Sequence, residues 1–277
     1  MKKKIFIILF MFIFQSCNDL PNYEVCKSEM CNYLMEKASY VHEINGFYIV
    51  SSDEIPTKEY GFNHTPIDVF NKSIKLFSSF LDQNNDGSID QEYLSLNTAL
   101  SENLTFVIGH RDFVDEITYK TEKKYGVYGM GFFSDSWPYV PSYDGKGFLV
   151  NKLNSSMWRP DDFDATWEET FHTITEAFNR IDDDFKFSKG GYLRKLMDND
   201  ILDGTYDISE QNNLEKGNYD KITAVNEYIH QIWLINFSGQ SNILNEHQKK
   251  ALDFMIEKGV PMTLNNNYDL ILGNRLK

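Results

Sequence analysis

The strongest indication of architecture in this chain is the sequence Thr166-Trp-Glu-Glu-Thr-Phe-His172. Apolar residues recur through and beyond it at spacings of four, three, four and three, which predicts a helix with one buried face; they are Trp167, Phe171, Ile174, Phe178 and Ile181. Glu168 and His172 are four residues apart and therefore share another face of that helix, with Glu169 beside them. A carboxylate and an imidazole at this spacing can bind one metal ion. The alternative is a solvent-facing acidic surface that carries one histidine.

A further candidate ligand lies downstream, in the sequence Asn226-Glu-Tyr-Ile-His230. A helix is predicted over 219–237, and its apolar residues surround most of its circumference. Glu227 is therefore predicted to point into the protein, where a carboxylate needs a partner or a metal ion.

Together the two segments resemble the gluzincin metallopeptidases, and the sequence that follows Glu227 resembles their lethal-factor-like members. Those enzymes bind zinc through a His-Glu-x-x-His helix and a glutamate on a later helix. The resemblance implies that His172 and Glu227 are ligands of Zn²⁺ and that Glu169 is the general base. Glu168 stands where the family has its first histidine and would be a substitute ligand. An edge strand that pairs with substrate is implied at 147–150.

The glutamate in place of that histidine leaves more than one function open. Two carboxylates and one imidazole lower the effective charge of the metal, so its bound water is less acidic than in a two-histidine site. We therefore expect a degenerate peptidase-like domain with a binding or structural role toward a protein or peptide partner. The alternative is an active metal-dependent peptidase. A di-iron bundle is a third interpretation, because Glu169-x-x-His172 and Glu227-x-x-His230 are paired, but the two further glutamates that such bundles need are not found at suitable spacing.

A calcium-binding loop is predicted at Asp82-Gln-Asn-Asn-Asp-Gly-Ser-Ile-Asp-Gln-Glu-Tyr93, which resembles an EF-hand. The predicted Ca²⁺ ligands are the side chains of Asp82, Asn84 and Asp86, the carbonyl of Ser88, and either Asp90 or Glu92 to complete the shell. Tyr93 replaces the bidentate glutamate that an EF-hand has at the last position. The alternative is a turn rich in aspartate and asparagine that holds no ion.

The N-terminus has the form of an export signal. Three lysines precede an apolar run over 5–14 that is too short to span a bilayer. Gln15-Ser-Cys17 then resembles the lipobox of bacterial lipoproteins, which implies a signal peptide at 1–16, lipid attached at Cys17 and a tether over 17–25. We expect an exported lipoprotein anchored to a membrane, in the periplasm or at the cell surface. An ordinary signal peptide is the alternative, and Cys26 and Cys31 would form one disulfide or remain inert thiols.

Composition and the order of elements indicate the fold class. The net charge of −14 disfavours nucleic acid as a partner, because an acidic surface repels phosphate. Helices are predicted at 65–82 and 90–100, strands in three runs between 104 and 152, and mainly helix beyond 161. Strands followed by helices predict an α+β architecture. We therefore expect a helical region with the EF-hand-like loop over 26–103, and a small sheet with a zincin-like, mainly helical half over 104–277.

Overall fold

The computed structural model describes residues 28–52, 66–133, 153–154, 165–208, 221–237 and 241–263. Within these ranges the chain combines helices with a small four-stranded sheet, which confirms the predicted α+β class. The predicted signal peptide, the tether with Cys17 and the predicted strand at 147–150 lie outside the described residues. In the described part, no helix is long and apolar enough to cross a membrane.

Helices make up most of the described chain. They are α1 (Glu29–Lys37), α2 (Pro66–Leu81), α3 (Leu94–Asn103), α4 (Arg111–Lys120), α5 (Ala165–Ile181), α6 (Tyr192–Leu202), α7 (Lys221–Phe237) and α8 (Glu246–Glu257). Short 3₁₀ turns lie at Gln91–Tyr93, Asp183–Phe185 and Ser241–Ile243, and a π-helical turn extends α4 at Thr121–Tyr125. The strands are β1 (Tyr40–Ile44), β2 (Phe47–Ser51), β3 (Leu104–Gly109), β4 (Tyr128–Phe133), β5 (Leu153–Asn154) and β6 (Tyr206–Asp207).

The main sheet has the order β1-β2-β3-β4. β1 and β2 form an antiparallel hairpin whose turn residues, Asn45 and Gly46, both have positive φ, as a two-residue turn between twisted strands requires. β2, β3 and β4 are parallel, with helices in the connections between them. β3 and β4 lie in the predicted strand region, whereas the hairpin was not predicted. The sheet therefore joins strands from both sides of residue 104.

Alternating side chains of the sheet supply two cores. On β2, Phe47 and Ile49 pack into a large core with α2, α3, α5 and α7, whereas Tyr48 and Val50 face a smaller core with α1 and α4. This alternation follows from the two-residue period of a strand. Cys31 on α1 is buried in the smaller core and is disulfide-bonded; Cys26 lies outside the described residues.

The pairing of α5 with α7 forms the scaffold of the candidate site. The rings of Phe171 and Trp233 stack with centroids 4.6 Å apart. The hydroxyl of Thr175 donates to Oδ1 of Asn226 at 2.7 Å. On α5, every residue from Thr170 to Thr175 is buried, so burial extends beyond the predicted apolar stripe and includes His172, whereas Ile181 of that stripe is 50% exposed. α7 is likewise buried without interruption from Tyr228 to Ile235.

α7 is also held in place by α6 and α8. The carboxylate of Asp200 on α6 is fully buried and accepts a hydrogen bond from the hydroxyl of Tyr228 at 2.8 Å. It also accepts from Nδ2 of Asn245 at 3.0 Å and lies 2.9 Å from Nδ1 of His247 on α8. These contacts connect α6, α7 and α8, and they restrict rotation of α7 about its own axis.

Candidate metal site

Four side chains with metal-binding atoms meet between α5 and α7. They are Glu168 and His172 on α5, and Glu227 and His230 on α7, and one ligand atom from each lies within 4.8 Å of the others. The first three were predicted as ligands from the sequence, and the structure brings those three together. His230 entered the predictions only through the di-iron interpretation, and its position in this group is the main addition that the structure makes.

Helical spacing explains why two residues from each helix take part. Glu168 and His172 are separated by four residues, and Glu227 and His230 by three, so each pair lies on one side of its helix. The contact between α5 and α7 turns the two pairs toward each other, and the rings of His172 and His230 meet edge to face with centroids 5.2 Å apart.

The spacing of the four groups fits a metal ion with small side-chain movements. A zinc ion with bonds of about 2.1 Å places tetrahedral ligand atoms roughly 3.4 Å from one another. Nε2 of His172 lies 3.8 Å from Oε1 of Glu227, which is close to that value. The two histidines are buried and the two glutamates are half-buried, so the group lies at the edge of the core.

Charge in this region favours a cation. Burial of the His172 ring by itself lowers its pKa, but the carboxylates of Glu227, Glu169 and Glu168 outweigh that effect and raise the pKa to about 9. Nε2 of His172 is buried and makes no hydrogen bond within the described part of the chain. The carboxylates therefore favour positive charge at this position, and a metal ion that binds His172 would displace a proton from the ring.

Glu169, the predicted general base, lies beside the group and not in it. Its Oε2 atom is 3.9 Å from Nδ1 of His172, on a different edge of the ring from Glu227. Its side chain is only 14% exposed. Glu169 is therefore positioned to act on His172 from the side that faces away from Glu227.

In the predicted calcium loop, aspartate side chains accept hydrogen bonds from backbone N–H groups of the same loop. Asp82 accepts from the backbone N–H groups of Asp86 at 3.1 Å and Gly87 at 2.9 Å, and Asp86 accepts from the N–H of Ser88 at 2.9 Å. Gly87 has a φ of +85°, which allows the sharp turn. In the described chain, the α5–α7 group alone brings three or more acidic, histidine or cysteine side chains close enough to share an ion.

Asp90 and Glu92, at the end of the loop, are the two alternatives for the ligand that completes the Ca²⁺ shell. Asp90 turns inward, and its carboxylate accepts from the N–H of Gln83 at 2.7 Å and from Nδ2 of Asn84 at 2.6 Å. Tyr93 is buried, and burial together with the nearby Glu92 carboxylate raises the pKa of its hydroxyl. Of the two candidates, Asp90 is the one directed into the loop.

Comparison with known proteins adds no identification. No protein-family model matches this chain, and neither a curated protein nor a solved structure matches it. The chemistry of the α5–α7 group is therefore inferred from its ligand types and geometry.

Proposed function

We propose that this protein binds one divalent transition-metal ion between α5 and α7, with zinc as the expected ion. The ligands are Glu168, His172, Glu227 and His230, and the convergence of these four groups is the observation that supports the proposal. Imidazole nitrogens and carboxylate oxygens are ligands for zinc, and also for manganese and iron, whereas soft thiolate ligands are absent from the group.

The ligand count favours a non-catalytic role. Zinc with four protein ligands in a tetrahedral shell has no position left for water, which is the arrangement of structural sites. Such an ion would connect α5 to α7 and stabilise a peptidase-like domain that serves as a binding or structural element. The protein or peptide partner would then contact a rigid surface of this domain.

The alternative is an active peptidase in which one of the half-buried glutamates leaves the metal. Three protein ligands would leave a position for water, and Glu169 would be the base, as the gluzincin resemblance implies. Hydrolysis of a library of fluorogenic peptides by the zinc-loaded protein, lost in His172→Ala, would favour this alternative over the structural role.

Metal analysis of the purified mature chain tests the proposal directly. After exposure to zinc and removal of the free ion, we expect about one zinc per chain. His172→Ala should lose this ion because it removes a buried ligand, whereas His110→Asn should keep it. His110 caps the N-terminus of α4, outside the group, and asparagine can replace that cap. A native chain without bound zinc would exclude the proposed site.

We also propose that the loop 82–93 binds calcium in the exported protein. The inward orientation of Asp90 and the turn at Gly87 support this proposal. Calcium at a hundredfold excess over its dissociation constant adds about 2.7 kcal/mol to the free energy of unfolding. Melting temperatures with calcium and with a chelator should therefore differ, Asp82→Ala should abolish the difference, and Glu102→Ala, which removes an exposed carboxylate of α3, should not. Equal melting temperatures for the native chain would contradict calcium binding.

The third proposal is that the chain is a lipoprotein anchored through Cys17. The sequence Gln15-Ser-Cys17 supports it. Several acyl chains hold a protein stably at a membrane, whereas one holds it only weakly. Cys17→Ala should therefore move the protein from the membrane fraction to the soluble fraction of an expressing bacterium. Retention of the variant in the membrane fraction would argue against the lipid anchor.

A further inference from the structure

We infer that Glu169 is a positioning residue that orients His172 for metal binding, and not the general base of a hydrolase. The inference rests on the proposed metal site. It assigns to Glu169 a role that the gluzincin resemblance does not imply, and it follows from where the two ring nitrogens of His172 lie.

The two nitrogens face different carboxylates. Nε2 lies 3.8 Å from Oε1 of Glu227, which belongs to the four-residue group, whereas Nδ1 lies 3.9 Å from Oε2 of Glu169, which does not. Glu169 and His172 are three residues apart on α5, so the helix itself keeps this carboxylate beside the ring. The low exposure of the Glu169 side chain further restricts its movement.

Metal chemistry gives these two carboxylates different tasks. A neutral imidazole donates one lone pair to a metal and carries its proton on the other nitrogen. A carboxylate that accepts this N–H fixes the tautomer, holds the ring in place and makes the ligand nitrogen more basic. With a metal ion on Nε2, the ring would carry its one proton on Nδ1, and Glu169 is the acidic side chain beside that nitrogen. A shortening of the 3.9 Å separation when the metal binds would complete the hydrogen bond.

The position of Glu169 is poorly suited to a general base. A base must reach water on the metal, which would lie beyond Nε2, and hydrogen-bond distance is required for proton transfer. Glu169 lies instead at the Nδ1 edge of the ring, whereas Glu227, a member of the group, lies at the Nε2 edge.

Zinc competition with a coloured chelator tests the assignment on Glu169→Ala, Glu169→Gln and the native chain. Loss of the acceptor in Glu169→Ala should weaken zinc binding by roughly 10- to 100-fold. Glu169→Gln keeps an acceptor oxygen and a similar shape, so it should recover most of that affinity. Glu176→Ala serves as the matched control, because it removes another carboxylate of α5 that pairs with Arg180 and is not a member of the four-residue group.

Nitrogen-15 NMR of the His172 ring reports which ring nitrogen is protonated and which binds zinc. This measurement distinguishes a lost positioning contact from a general loss of structure. Native protein and Glu169→Gln, loaded with zinc, should show protonated Nδ1 and metal-bound Nε2, whereas Glu169→Ala should show exchange or a mixture of tautomers. Equal zinc affinity and an unchanged tautomer in Glu169→Ala would overturn the positioning role while leaving the metal site intact. If the native chain binds no zinc, both the proposed function and this inference fail.

Discussion

Zinc should raise the midpoint of thermal unfolding of the metal-free protein by roughly 10 °C when free ion is at a thousandfold excess over its dissociation constant. An ion that binds only the folded state then adds about 4 kcal/mol to the free energy of unfolding. For a chain of this size, each kcal/mol corresponds to roughly 2–4 °C. This relation applies because the four ligands come from two helices and are brought together only in the folded protein.

Variants of the individual ligands show whether zinc binds at this site or elsewhere on the protein. His172→Ala and His230→Ala should each abolish the zinc-dependent shift in melting temperature, since each removes one of two buried imidazoles. His110→Asn should show the same shift as the native chain. Scanning calorimetry with zinc and with a chelator is the measurement, and an undiminished shift in both ligand variants would mean that zinc binds elsewhere.

The sequence predicted those parts of the site that depend on local spacing. The apolar residues of α5 repeat with the helical period, and this periodicity correctly predicted the helix and the shared face of Glu168 and His172. It did not predict that His172 is buried, because that burial comes from the packing of α7 on α5. Glu227 was selected because a carboxylate in an apolar helix needs a partner. For these residues, spacing predicted which side chains share a helix face, and the ligand roles came from the gluzincin resemblance.

His230 could not be selected with the same argument. α7 is apolar nearly all round, so its sequence does not show which side contacts α5. That side is decided by tertiary contacts such as the stacking of Phe171 on Trp233, which joins residues 62 positions apart in the sequence. The only local signal was the three-residue spacing from Glu227, which places both residues on one side of the helix.

In the sheet, too, the local sequence specifies the hairpin turn but not the pairing of strands that are distant in sequence. Asn45-Gly46 between two apolar runs is a strong hairpin signal, so β1 and β2 were open to prediction and were missed. The parallel pairing of β2 with β3, by contrast, brings Tyr48 opposite Thr105 across the intervening helices. Neither strand's own sequence specifies that partner, because parallel strands are joined by crossover connections instead of a turn.

The second large effect is expected at Trp233, the side chain that links the site to the rest of the core. Trp233 is fully buried, and its ring lies against Phe171, Phe80 and Phe237, with centroids 4.6 to 5.8 Å apart. Its indole N–H donates to the carbonyl of Pro261 at 3.0 Å. The side chain therefore joins α2, α5 and α7 to the segment that follows α8.

Trp233→Ala should lower the free energy of unfolding by about 3–5 kcal/mol, because it removes a large aromatic side chain and leaves a cavity. Trp233→Phe keeps a packed ring and loses the hydrogen bond to Pro261, so it should cost roughly 1–3 kcal/mol. Urea denaturation of the metal-free proteins measures both changes.

Because the Phe171 stack also holds α5 against α7, we expect Trp233→Ala to weaken zinc binding while Trp233→Phe largely preserves it. Equal stability of the alanine variant and the native chain would show that α5 and α7 are held together without this ring, and the metal site would then need another explanation for its alignment.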